Sequence, residues 1–136
     1  MQRSIQAVER MFKAIETGRV GDADAYIAED YVNRESADDG RSGQRGPGEF
    51  RETTEWLRSA FSELRFDNID VIACDDRVVV LTYMCGRHTG SFLGLTATNR
   101  PFRQRQVHLF RLDADHKVRE HLAQRDDLGL RRQLSA

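Results

Sequence analysis

Histidine is the side chain that titrates near neutrality, at about 6.5 when unperturbed, and four occur in this sequence: His88, His108, His116 and His121. His108 stands in an alternating run. Gln104, Gln106, His108 and Phe110 share one face of it, and Arg103, Arg105, Val107, Leu109 and Arg111 share the other. On the next run the same period groups Arg119, His121, Ala123 and Arg125. An imidazole so placed can accept and return a proton at cellular pH, which is general acid/base chemistry. The competing role for His108 is structural, a ring hydrogen-bonded to its neighbours and orienting them. His116 falls at a turn tip and is assigned no role. No two histidines have metal-ligand spacing such as H-x-x-x-H and no carboxylate completes a triad, so no metal is expected. Neither G-x-G-x-x-G nor a Walker A loop occurs, so no cofactor is expected either.

The elements that must position these residues can be read from periodicity. Residues 4–17 predict an amphipathic helix with Ile5, Val8, Phe12 and Ile15 on one side and Gly18 as its stop. A second short helix is expected behind Asp22 or Asp24, with Tyr26, Ile27 and Tyr31 as its apolar side. Residues 35–48 are rich in Gly, Ser and charge and read as a loop. Pro47 opens a third helix to about residue 64, striped by Phe50, Leu57, Ala60, Phe61 and Leu64, with Trp56 beside the stripe. Four strands follow, Phe66–Ala73, Arg77–Arg87, Phe102–Leu112 and Lys117–Gln124, rich in β-branched and aromatic residues. Asp75-Asp76 and Asp113–His116 read as hairpin turns, which makes the sheet antiparallel. A terminal helix over about 127–133 is capped by Asp126 or Asp127. The fold class is therefore α+β, a single domain with three N-terminal helices packed on a curved antiparallel sheet, and a central cavity between the layers.

Composition sets further bounds. A chain of 136 residues holds one core. Twenty-one basic against 22 acidic residues give a net charge of −1, which argues against a nucleic-acid binder. No apolar run of 18 residues occurs, so neither a signal peptide nor a membrane span is expected. Cys74 and Cys85 sit among apolar residues and are expected to be buried, reduced thiols of a cytoplasmic protein.

The second half also carries an ordered series of motifs. Gly86-Arg87-His88-Thr89-Gly90-Ser91-Phe92-Leu93-Gly94 resembles the G-x-H-x-G-x-F-x-G segment of the SnoaL-like polyketide cyclases, and Thr98-Asn99-Arg100 is similar to the Thr-Gly-Arg that follows it there. His108-Leu109-Phe110-Arg111 resembles their H-x-F-R strand. Glu120-His121-Leu122, Arg125–Leu130 and Gln133-Leu134 resemble their E-H-W…D-D-L-G-L…Q-L ending. The N-terminal half matches more loosely, through Tyr31-Val32 and Gly46–Phe50. The resemblance implies the α+β cone of the nuclear transport factor 2-like superfamily. It also implies a small, cofactor-free, homodimeric enzyme of bacterial secondary metabolism, which closes a ring on a polyketide intermediate by aldol addition. Other members open epoxides or assist hydroxylation, and a binding protein that has lost the acid is a further alternative.

One departure stands out. The family carries an acid/base Asp directly after the Trp of E-H-W, and here Ala123 takes that place. The resemblance turns His108, and with it Gln106, toward the cavity, as it does His121, Arg119 and Arg125. His108 thus becomes the leading substitute for the missing acid, since the α-carbon of a 1,3-dicarbonyl is acidic enough for an imidazole beside an enolate stabiliser. Gln106, Tyr31, Asn33 and Arg119 are the candidate donors to that enolate. His121 is a second catalytic candidate, or else fixes its strand by packing and one hydrogen bond. Asp126, three residues past Ala123, either restores the acid or caps the last helix. His88 is expected at the cavity mouth. Phe50, Trp56, Phe92 and Phe110 are expected to form an apolar wall for a flat polycycle.

Overall fold

The computed structural model describes residues 2–41 and 43–135. Helix α1 (Gln2–Thr17) buries Ala7, Val8, Met11, Phe12 and Ala14. It stops at Gly18, whose positive φ of 77° lets its N–H reach back to the Ala14 carbonyl at 2.7 Å. The chain then departs from the expected second helix. Only a single 3-10 turn, Ala23–Ala25, follows Asp22, and Ile27–Asn33 is a strand, β1. Tyr26, Ile27 and Tyr31 are buried as expected. Their spacing suits a helix turn, but a run this short with β-branched and aromatic residues fits a strand equally. β1 finds its partner far away: it pairs in parallel with the last strand, setting Asn33 opposite His121.

The expected loop contains one helical turn, α2 (Glu35–Asp38), and closes at Gly46. There φ is 81°, and a Cβ would lie 2.6 Å from the Glu29 carbonyl oxygen, so only glycine fits. Pro47 starts α3 (Pro47–Ala60). That helix ends four residues before the expected residue 64, because Phe61 turns extended and leads into β2 (Phe61–Cys74) with no connecting loop. β3 (Arg77–His88), β4 (Pro101–Leu112), β5 (Val118–Arg125) and α4 (Asp127–Ser135) complete the chain.

The sheet order is β1-β5-β4-β3-β2. It is a mixed sheet, with β2 to β5 antiparallel as expected and β1 added in parallel at the edge. The three helices of the expected count precede and follow β1 instead of standing together before the sheet. α1, α3 and the short α2 cover its concave face, and the core between the layers includes Phe12, Phe66, Val78, Val80 and Phe110. α4 packs along β4 through Leu130 and Leu134. Its Gln133 clamps the Arg103 backbone at both N–H and C=O. Of the two thiols, Cys85 is buried but Cys74 is exposed at the end of β2 beside the hairpin turn, contrary to expectation.

Candidate active site

On β4 burial alternates without a break. Phe102, Gln104, Gln106, His108 and Phe110 point inward, while Arg103, Arg105 and Val107 lie exposed. From Gln104 to Phe110 the inward row forms one wall of a hollow between the sheet and helices α1 and α3, with about 700 Å³ of atom-free space including open solvent at its mouth. Phe12, Phe50, Phe66, Phe92 and Phe110 are among its apolar lining. Tyr31, Asn33, Gln106, His108 and His121 supply polar atoms.

Those polar atoms are linked in series. His108 Nε2 lies 2.7 Å from Gln106 Oε1, and its Nδ1 lies 2.8 Å from His121 Nε2. His121 Nδ1 is 2.9 Å from Asn33 Oδ1. Asn33 Nδ2 donates to Glu49 Oε2 at 3.2 Å, and that buried carboxylate also accepts from Thr53 and Ser36. In the other direction Gln106 Nε2 donates to Gln104 Oε1, and Gln104 Nε2 to Asp127 Oδ1, each at 2.9 Å. Aromatic rings hold the imidazoles in place. Phe110 stacks on His108 with the planes 14° apart, and Phe12 meets His108 edge-on at 5.2 Å.

Charge at the site is balanced by ion pairs. Arg125 donates through both terminal nitrogens to Asp39, at 2.6 and 3.2 Å. Arg41 donates to Thr53 at 2.6 Å, reaches Asp39 at 3.4 Å and stacks over the Trp56 ring at 4.2 Å. Burial drives His108 well below its ordinary value, and the nearby His121 and Arg125 add to this. Burial, then Arg125 and Arg41, lowers His121 to about 3. Both rings are therefore neutral at cellular pH. Burial and the Glu49 charge raise Tyr31 well above its ordinary value, so it stays a neutral O–H.

The sequence of this chain matches the model of the SnoaL-like polyketide cyclase family over residues 5–134. It is 36% identical to nogalonic acid methyl ester cyclase of Streptomyces nogalater over 125 residues, covering 91% of each chain. It is also 36% identical to aklanonic acid methyl ester cyclase DnrD of Streptomyces peucetius over 135 residues, 98% of this chain and 92% of that one. The chain belongs to the SnoaL-like polyketide cyclase family. Its fold agrees: the structure of TsrD from Streptomyces laurentii superposes with a TM-score of 0.88 at 24% identity, over 100% of this chain and 97% of that one.

Against this family background the sequence-derived candidates divide. Tyr31, Asn33, Phe50, Phe92, Gln106, His108, Phe110 and His121 all line the one cavity. Arg119 does not. The pairing of β4 with β5 slips between Arg111 and Leu112, leaving Arg119 as an extra residue whose side chain is exposed, so the simple alternation fails at that bulge. Asp126 is exposed and caps α4, accepting the Gly129 N–H at 2.9 Å. It stands outside the lining, which favours its capping role. His88 is fully buried at the end of β3, bonded to Thr98 and tilted against Phe61, away from the expected mouth. Trp56 sits behind Phe92, at 5.1 Å between ring centres, and supports the wall without facing the space.

Sequence reasoning missed Asp39, Arg41, Glu49 and Thr53. The first two lie in a segment without periodicity, where no spacing signal exists. Glu49 and Thr53 are one helical turn apart and flank Phe50, a polar pair beside the apolar stripe that could have drawn notice. Ala123 lines the cavity directly opposite His108 in the β4–β5 register.

Proposed function

We propose that this chain is a cofactor-free cyclase closing a ring on a flat, apolar polyketide-type carbonyl compound by intramolecular aldol addition, with His108 in place of the family carboxylate absent at Ala123. The observation that carries this reading is the position of His108. It faces the cavity from the strand position paired with Ala123, and burial keeps it an unprotonated base. His108 takes the proton from a carbon flanked by carbonyls, and the C–H electron pair passes into an enolate. Tyr31, on the cavity wall, donates its O–H toward the enolate oxygen. The other proposed donors have other tasks: Asn33 Nδ2 serves Glu49, and Gln106 Nε2 serves Gln104. The enolate carbon then attacks a second carbonyl of the same molecule. The new alkoxide recovers the proton from His108, so no atom or electron is left over.

The phenylalanine wall suits a polycyclic substrate of the class named for the relatives. Aklanonic acid methyl ester and nogalonic acid methyl ester are accordingly the compounds to test. Ring closure by the wild type, followed by chromatography, should fall by about 100-fold or more in His108→Ala, with substrate binding retained. A wild type that binds these esters and closes no ring would mark a binding protein. Unchanged turnover in His108→Ala would remove His108 from the chemistry.

The same reading makes the protein a cytoplasmic homodimer. No helix among the described residues is long and apolar enough to cross a membrane. The convex face of the sheet carries an apolar row in direct register, Ile72, Val79, Leu109 and Leu122, beside Leu81 and Val107.

A further inference from the structure

We propose that residues 35–41 form a strap over the cavity, and that the ion pair between Asp39 and Arg125 is the latch a ligand must open to enter and to leave. The ligand is the one the cyclase reading above supplies, while the latch stands on burial and contacts alone.

The groups that must meet a substrate are nearly sealed. Tyr31 is 1% exposed, Gln106 3% and His108 8%, so a flat polycycle cannot touch them until some part of the wall moves. Most of that wall is built into the apolar core. Helix α1 is fastened there by Phe12, α3 by Phe50 and the sheet by Phe110. The strap is not. Among the described residues none between Tyr31 and Phe50 belongs to that core, although Asp39 and Arg41 both line the cavity. Between these two, Gly40 is exposed, and a Cβ built on it would meet nothing within 4 Å. A single thickness of chain thus separates cavity from solvent here.

Polar groups hold the strap down. Its base is tied by the Arg34 N–H, which donates to the His121 carbonyl at 2.9 Å, and by the Ser36 hydroxyl, which donates to buried Glu49. Two of its backbone bonds close within it: the Asp39 N–H reaches the Glu35 carbonyl at 3.0 Å, and the Arg41 N–H reaches the Ser36 carbonyl at 2.8 Å. The tip meets the rest of the molecule through two side chains. Arg41 crosses to α3, donating to Thr53 at 2.6 Å and stacking on Trp56 at 4.2 Å. Asp39 crosses to β5, where Arg125 holds both its oxygens, at 2.6 and 3.2 Å. Lifting the tip breaks these contacts and exposes no core residue, and the separated charges regain water. Such an element opens locally well before the core does. A latch closed over an empty or a filled cavity retards entry and release alike.

Stopped-flow binding of aklanonic acid methyl ester to the full-length protein tests the latch, with Trp56, the single tryptophan, as reporter. In Asp39→Asn both association and dissociation should quicken by about tenfold, with Kd changed much less. A carboxylate that only shaped the site would change dissociation alone. In the wild type, raising salt from about 0.05 to 1 M should quicken entry, because salt favours the separated charges. Asp39→Asn should lose that dependence. Without ligand, acrylamide should quench Trp56 more readily in Asp39→Asn, since Arg41 leaves its ring with the strap. Unchanged association in a folded Asp39→Asn variant would overturn the latch, as would wild-type entry indifferent to salt, which decides the matter if that variant does not fold. If the ester binds neither protein, the cyclase reading loses its ligand, and quenching then judges the strap by itself. Equal quenching in the two proteins would overturn the latch.

Discussion

His108 and Ala123 face each other across neighbouring strands, so on the cyclase reading proposed above a cavity-facing base stands opposite the place where the family resemblance expects a carboxylate. Restoring the carboxylate should change that base in a known direction. In Ala123→Asp an anion beside the imidazole favours its protonated form, and NMR titration should find His108 protonating at higher pH than in the wild type. An unchanged or lowered titration would mean that the new side chain pairs with Arg125 instead. The buried pair also predicts a pH dependence of folding. Both histidines have folded-state values below the unfolded value of about 6.5, His121 at about 3. The unfolded chain therefore binds protons that the folded one excludes, and stability is full above about pH 6.5 and lost as pH falls toward 3. The slope is at most about 1.4 kcal/mol per pH unit for each histidine. Denaturant unfolding should show a stability loss for the wild type between about pH 7.5 and 5 that the double variant His108→Gln/His121→Gln does not share. Much of this site was legible from alternation, which orients a whole row once one member is placed. That is why Gln104, Gln106, His108 and Phe110 came together. It failed at Arg119 because a bulge is one inserted residue with no marker in the local sequence.

At the scale of elements the site depends on two pieces that carry weak sequence signals, the edge strand β1 and the segment from α2 to Gly46. β1 was mistaken for a helix because seven residues with apolar positions four apart satisfy either period. Its parallel partner lies some 90 positions away, beyond any local pattern. The longer strands β3 and β4 and helix α1 hold several repeats of their period, and their extents were legible to within a residue or two. The segment after α2 is held to the sheet by the Asp39–Arg125 pair, whose carboxylate side chain is only 2% exposed. Replacing Asp39 by Asn removes the charge and leaves Arg125 and Arg41 without that partner. The expected cost is about 1–3 kcal/mol, concentrated in this segment. Hydrogen exchange should quicken at the Arg41 amide, which is bonded to the Ser36 carbonyl at 2.8 Å, and stay unchanged in β3 and β4. Equal acceleration throughout would show that the pair stabilises the whole fold and not one local flap.

For the whole molecule, the concave side of the sheet is filled by helices and cavity, and the convex side is left to find its own cover. Alternation that sends Gln106 and His108 inward necessarily sends Val107 and Leu109 outward, so one pattern builds both the site and this outer face. Across it Ile72, Val79, Leu109 and Leu122 stand side by side on four adjacent strands, with Ile72 56% and Leu122 37% exposed. Leu81 and Val107 form a second pair in register, each about two-fifths exposed. Arg103, Arg105 and Arg111 border the row with charge, giving an apolar centre inside a polar rim. A face of this kind is self-complementary under a two-fold axis, since each strand can lie on its own copy. Light scattering at micromolar concentration should therefore give a mass near twice 15.6 kDa. Placing a lysine on this face, in Val107→Lys or Leu122→Lys, would set a charge against its twin in the dimer, and should return the monomer mass. Because both side chains point away from the cavity, ligand binding should persist in the monomer. A wild type that runs as a monomer at that concentration would refute the dimer. If the lysine variants also lost ligand binding, the two faces of the sheet would be coupled, and the site would need its partner to stay in shape.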